Sequence, residues 1–339
     1  MNFVFAHMNH LKYFMPLVIE GNKHGIKSKF FTFYIEKDFE RCKKLDSHPY
    51  KHLNFLKKMS VDFDFDFELC DNDKEIEGMT FFGERRGLSN MSKKSNTKKI
   101  VLVNLRDFVA DGWYDYYVKI VDNVIFPNKF FAEYYKKVSD KNLYLGSPKY
   151  DVEFNKSEIK TKYNIKGNKN ALVMFPTGGQ KLYKKVKIDI VYDVLRKLGY
   201  NIIVKSKKRW PCPECLKGDI HLDDSQWFPH PTLELIKISD IVINYCSSTV
   251  KECVMLNTPF INFWTKEKRT PFRFLYNYDY CENIKDFGIS SGELEDKVKR
   301  LTNENLISEF EKSRKNYLFE REGVSTRIFA ELGIASIGH

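Results

Sequence analysis

No stretch of this chain approaches the roughly 18 uninterrupted apolar residues of a membrane-crossing helix. The opening residues, MNFVFAHMNHLKYFMPLVIEG, carry neither a basic leader nor a small-residue cleavage site. The expectation is therefore a soluble, cytoplasmic protein. A disulfide framework is missing as well: the seven cysteines are odd in number and scattered at 42, 70, 212, 215, 246, 253 and 281, which predicts reduced thiols. Cys212 and Cys215 form one C-x-x-C, inside Trp210-Pro211-Cys212-Pro213-Glu214-Cys215, without the second pair that a four-ligand zinc site would use. His221 and His230 are the nearest other ligands, and a plain turn is the simpler account.

At 339 residues the chain is long enough for about two domains. Its 42% hydrophobic and 15% aromatic content describes globular units with cores of their own. The formal net charge of +11 raises the question of an anionic partner. Lysines are spread over most of the length, in a Lys, Asn, Phe, Tyr and Ile bias that AT-rich coding DNA would produce. A solvated surface explains that spread, and a nucleotide donor, phospholipid or nucleic acid is the competing account, with nucleic acid not favoured.

Alternation of strand and helix patterns runs through both halves. The first half begins with a strand at Phe3 to Ala6, a loop holding His7 and His10, a helix from Phe14 to Glu20 and a strand from Ser28 to Ile35. Further strands are expected at Ile100 to Asn104, Asn123 to Phe126 and Leu143 to Leu145. In the second half the strands are Ala171 to Phe175, Asn201 to Lys205, Ile241 to Ile243 and Phe260 to Phe263, separated by helices at Ile188 to Leu198, Thr232 to Ile238 and Val250 to Leu256. This order argues for parallel sheets. Two similar α/β halves imply domains at 1–147 and 148–315 facing across a cleft, with a C-terminal helix at 316–339 packing back on the first.

The crossover DIVINYCSSTVKECVMLNTPFINF, from Asp240 to Phe263, carries the clearest chemistry. An apolar strand ends in Ser247, Ser248 and Thr249, and a helix start there offers hydroxyls and backbone N–H groups to a phosphate. Glu252, one turn inside, suits the hydroxyls of a sugar better than it suits a phosphate. Two other loops follow neighbouring strands and should converge on the same place. Thr177-Gly178-Gly179 permits close backbone approach, and Lys205 with Lys207 and Lys208 supplies positive charge. Taken singly, each of these is ordinary loop material. Trp227, Phe228, Pro229 and Pro231 could wall a nucleobase or belong to the core.

Glu252, Cys253, Asn257 and Pro259 stand in an order that resembles the glutamate, small residue, glycine and proline pattern of GT-B glycosyltransferases. The segment is also similar to the related UDP-N-acetylglucosamine 2-epimerases and CDP-glycerol glycerophosphotransferases. Gly146-Ser147-Pro148-Lys149-Tyr150-Asp151 resembles the glycine-proline-aspartate turn that opens their second domain. The resemblance covers roughly residues 100 to 265. It implies two Rossmann-like domains of GT-B-like arrangement, with a nucleotide-activated donor bound by the second and an acceptor held by the first, Glu252 on the ribose and Ser248 and Thr249 on the diphosphate. Asn257 replaces the usual glycine, which asparagine tolerates in a left-handed position. Asn244 stands where many retaining enzymes of this fold carry a glutamate, and the single Glu252 departs from the paired glutamates of the epimerases.

The function expected is a GT-B glycosyltransferase of glycan biosynthesis, inverting and without a divalent metal or other cofactor. Its donor would be a nucleotide-diphosphate sugar such as a UDP sugar, and its acceptor a glycan, lipid-linked or other hydroxyl. Inversion needs a base, for which His10, with His7 beside it, and Asp111 are the candidates. Either histidine could instead cap a helix or fill the core. Glu84-Arg85-Arg86-Gly87 could contact an anionic acceptor. Asp62, Asp64 and Asp66 could hold a divalent ion, but their period-two spacing with phenylalanines fits one face of an edge strand. The alternatives are an epimerase-like or glycerophosphotransferase-like enzyme and a non-catalytic polyanion-binding protein. For the last, Phe263 to Tyr276 interleaves cations with rings and is also the candidate for peripheral membrane contact.

Overall fold

The computed structural model describes residues 1–34, 36–44, 46–71, 74–83, 98–103, 113–175, 188–206, 217–222, 227–245, 247–263, 272–285, 288–317 and 323–334. The chain divides into two compact units, one made of Met1–Val152 with Tyr317–His339, the other of Glu153–Asn316.

The first unit holds strands β1 (Asn2–Val4), β2 (Ser28–Phe33), β3 (Phe65–Cys70), β4 (Thr80–Gly83), β5 (Lys99–Leu102), β6 (Asn123–Phe126) and β7 (Asn142–Tyr144). Among the described residues they form one parallel sheet in the order β3-β2-β1-β4-β5-β6-β7. The chain moves outward from β1 to β3, returns to the far side of β1, and then proceeds the other way. Right-handed crossovers therefore put helices on both faces. The strands in the middle are buried on both sides, which is why they read as near-continuous apolar runs. Phe3 pairs in register with Phe30 and Phe81 and stacks on both rings, at 4.9 and 5.4 Å between centroids.

Two expectations for this unit change. Asp62, Asp64 and Asp66 do not share a strand face: Asp62 ends the helix Leu53–Asp62, Asp64 sits in a turn at φ 47°, and only Asp66 lies in β3. Helix periodicity persists to Asp62, and an aspartate tolerates the left-handed turn that follows. The C-terminal helix expected at 316–339 has its described helical residues at Val324–Leu332, and the residues before it form a separate helix, Ile307–Tyr317. The helix Val324–Leu332 packs in the first unit, where Thr326 donates its hydroxyl to Glu20 at 2.7 Å.

Asp151 holds the start of that last helix. Its two carboxylate oxygens accept the backbone N–H groups of Gly323 and Ser325, at 3.0 and 2.8 Å. Arg327 adds a bond to the carbonyl of Leu145 at 3.3 Å. The aspartate of the turn after β7 is thus a helix cap supplied from a distant part of the sequence.

The second unit holds β8 (Asn170–Met174), β9 (Asn201–Lys205), β10 (Ile220–Leu222), β11 (Ile241–Asn244), β12 (Phe260–Phe263) and β13 (Cys281–Ile284). All pairings are parallel, in the order β10-β9-β8-β11-β12-β13, so the direction of travel reverses between β8 and β11. Asn257 adopts φ 56°, the left-handed conformation that glycine would otherwise supply. Arg314 binds its side chain and also the carbonyl of Val254, fixing the turn into β12.

Candidate functional site

Parallel pairing in register brings the carboxyl ends of the second sheet into two rows. One runs Leu222, Lys205, Met174, Asn244, Asn262, Asn283, and its members share a face of the sheet. The next row, on the opposite face, contains Phe175, Tyr245 and Phe263. Their rings stack at 5.1 and 4.9 Å with interplanar angles of 11° and 17°. Tyr245 is fully buried there, and loss of water pushes its phenol well above the ordinary range.

The predicted donor residues lie along this edge. Ser247, Ser248 and Thr249 follow β11, Glu252 lies in the helix Val250–Met255, and Lys205 ends β9. Lys205 and Glu252 are only 4% and 7% exposed. A strand separates β9 from β11, so about 10 Å lies between their axes. Thr177, Gly178, Gly179 and Lys207 lie outside the described residues, although β8, which leads into that glycine loop, sits between them. The three hydroxyls divide their work. Ser247 Oγ and Thr249 Oγ1 lie 2.8 Å apart in a hydrogen bond, and the Ser247 N–H donates to Asn244 Oδ1 at 3.2 Å. Ser248 is exposed and carries the outward hydroxyl. With six residues, the helix contributes a weaker dipole than the sequence pattern suggests.

Neighbouring features were not singled out from the sequence. Ser206, just after β9, bonds His221 Nε2 at 2.7 Å. Asn262 and Asn283 continue the line begun by Asn244, and their signal was present in the strand endings Ile243-Asn244, Ile261-Asn262 and Glu282-Asn283. Phe228 is buried, and Phe272 and Tyr276 are 6% and 4% exposed, so these rings serve the core and present no surface to bases or lipid. Residues 264–271, the Cys212 and Cys215 pair, and Glu84 to Gly87 fall outside the described residues. A cavity of about 370 Å³ opens at the opposite, amino edge of the sheet, beside Asp240, Asn257, Pro259 and Phe310. None of the predicted site residues lines it.

In the first unit the strand order reverses between β1 and β4, and His7 and His10 follow β1. His7 Nδ1 accepts the Asn9 N–H at 3.0 Å and so caps the turn Met8–His10. His10 is 2% exposed and packs on Phe14. It lies against Gly83, the last residue of β4, where an added Cβ would come within 2.4 Å of the imidazole Nδ1. Any other residue at 83 would displace the ring. Asp111 lies outside the described residues. No helix among the described residues is long and apolar enough to cross a membrane, and no group of three or more His, Cys, Asp or Glu side chains gathers there as a metal site would need.

No family model and no curated protein matches this sequence. Solved structures do. A wall teichoic acid polymerase TagF structure aligns with TM-score 0.63 at 15% identity, over 98% of this chain and 87% of that one. The UDP-GlcNAc 2-epimerase of Neisseria meningitidis bound to UDP-GlcNAc aligns with TM-score 0.62 at 10% identity, over 98% and 99%. The glycotransferase of kitacinnamycin aligns with TM-score 0.53 at 10% identity, over 98% of each chain. These likenesses show the fold, an α/β pair of the GT-B type.

Proposed function

We propose that the chain is a transferase that moves a sugar from a nucleotide-diphosphate donor to an acceptor hydroxyl, with inversion. The observation that carries this is the position of the strand-order reversal in the Glu153–Asn316 unit. It falls between β8 and β11, and Ser247 to Thr249, Glu252 and Lys205 all lie at that carboxyl edge. Open parallel sheets bind their ligands at this point, where adjacent loops leave in opposite directions and open a crevice. Neighbours of the same fold support a nucleotide-linked donor: one is an epimerase bound to UDP-GlcNAc, another a TagF crystal soaked with CDPG.

In this assignment Lys205 and Lys207 balance the charge of the diphosphate, in place of a divalent ion. Thr177 to Gly179 and Ser248 contact its oxygens, Thr249 holds the loop through Ser247, and Glu252 accepts from the ribose hydroxyls. The acceptor oxygen attacks the anomeric carbon while a base takes its proton. The bond from that carbon to the diphosphate oxygen breaks, and the nucleotide diphosphate leaves with the bonding pair. His10 is the base candidate held in a defined pose, by Gly83, and Asp111 is the rival.

Thermal-shift screening with UDP, CDP, GDP and ADP tests the donor site. A nucleotide at about 100 times its dissociation constant adds about 2.7 kcal/mol of apparent stability. Glu252→Ala should remove most of that gain, and undiminished nucleotide binding in this variant would discard the site assignment. His10→Asn should keep the binding and lower turnover by about 10²–10⁴. Unchanged turnover would pass the role to Asp111.

A second reading is supported by one observation: the epimerase aligns with TM-score 0.62, against 0.53 for the glycotransferase. An epimerase needs no acceptor. Release of UDP and a 2-epimer from UDP-GlcNAc alone would select it over transfer.

A further inference from the structure

Three asparagine side chains cross the second sheet in a directed line. The backbone N–H of Ser247 donates to Asn244 Oδ1 at 3.2 Å, and Asn244 Nδ2 donates to Asn262 Oδ1 at 2.8 Å. Asn262 Nδ2 donates to Asn283 Oδ1 at 3.2 Å, and Asn283 Nδ2 donates to the carbonyl of Tyr276 at 2.8 Å. Asn244 Nδ2 also reaches the carbonyl of Ser247 at 3.3 Å, so that residue is held from both sides of its backbone. Asn244 and Asn262 are completely buried. Carboxamides in the middle of a parallel sheet are costly unless every donor and acceptor is matched, and here each bond depends on the next.

We infer that Asn244, Asn262 and Asn283 form a relay that positions the loop Ser247 to Thr249, with Asn262 as its central positioning residue. The inference rests on the donor assignment above only for what that loop binds. A sheet that needed only cohesion would place apolar side chains at these register positions, as it does at Val242 and Phe260, two residues earlier on the same face. The polar line instead starts at the loop after β11 and ends at the turn Arg273–Tyr276, which follows β12. That turn is fixed independently. Phe272, its first flanking residue, takes the left-handed φ of 66°, and the ammonium of Lys251 lies 5.1 Å over its ring. Lys251 belongs to the helix that the Ser247 to Thr249 loop enters. The loop and the turn are therefore tied twice, through the asparagines within the sheet and through the helix above it.

The Ser247 N–H is committed to Asn244, so the loop presents Ser248 outward only while Asn244 keeps its orientation. A neutral carboxamide has two orientations, and the bond to Asn262 selects the same one as the two bonds to the Ser247 backbone.

The test uses the full chain with Asn262→Leu and Asn283→Leu. The second touches neither the loop nor Asn244 and is half-buried, so it leaves the core packing intact. Hydrogen–deuterium exchange at Ser247 should rise about tenfold or more in both variants. The dissociation constant for whichever of UDP and CDP the wild type binds should rise about tenfold, equivalent to about 1.4 kcal/mol. The double variant should be no worse than Asn262→Leu alone, because the line is already cut. Wild-type exchange at Ser247 in the folded Asn283→Leu protein would overturn the relay, whatever the melting temperature does. Faster exchange in a protein whose wild type binds neither UDP nor CDP would retain the relay and reject the donor assignment.

Discussion

A neutral imidazole is held away from water at His48. Its Nδ1 accepts the Tyr50 N–H at 3.3 Å, and its ring packs against both Phe39 and Tyr50. Burial lowers its pKa from the ordinary 6.5 to about 4. Below pH 6.5 the unfolded chain takes up this proton and the folded one does not, so stability that is complete above 6.5 is lost as the pH falls toward 4. By pH 4.5 the loss from this one group is about 2 kcal/mol. Urea denaturation at pH 7 and 4.5 should show His48→Gln losing less on acidification than wild type by about that amount, and equal losses would remove His48 as the cause. Glycine acts at the same scale at position 83, where the demand is for space beside His10 and no unusual backbone angle is involved. A sequence pattern cannot report that kind of demand, because the contact joins the turn after β1 to the end of β4, more than seventy residues later.

Among the elements, the helix Val324–Leu332 depends most on something outside itself. Its first-turn N–H groups have no side-chain cap of their own, and Gly323 precedes it in a left-handed conformation. Asp151 supplies the acceptors. Asp151→Ala should cost about 1–2 kcal/mol and speed hydrogen exchange at residues 323–327, while Asp151→Asn should recover part of both. No change in exchange would mean that the helix is held by its packing alone. This helix also shows what was legible in the sequence. Strands β6, β9 and β12 were placed to the residue, since each is an apolar run bounded by turn residues. Short strands such as Thr80–Gly83, Ile220–Leu222 and Cys281–Ile284 were missed, because three or four residues carry too little periodicity to register. In the site, the hydroxyl cluster and Glu252 stood out by residue type. The asparagine line did not, since its meaning lies in the register between strands that are distant in sequence.

At the scale of the whole molecule, the two units differ in how they use the chain. The six-stranded unit is one continuous stretch, Glu153–Asn316, whereas the seven-stranded unit is completed by residues after Tyr317. A fragment of residues 153–316 should fold alone, with a cooperative melt and a stability of the order of 5–15 kcal/mol. Residues 1–152 alone should be markedly less stable, lacking the helix that Asp151 caps. A fragment 153–316 without a cooperative transition would show that the division does not mark independent folding. The same asymmetry sets a timetable during synthesis. Asp151 and its partner Gly323 are 172 residues apart, so at 5–20 residues per second the aspartate emerges roughly 10–35 s before the helix that it will cap. For that interval the first helix of the nascent unit lacks Phe329, the buried ring that later lies beside its Gly21 and against His24. The later unit, although made second, has every residue that it needs before the earlier one does.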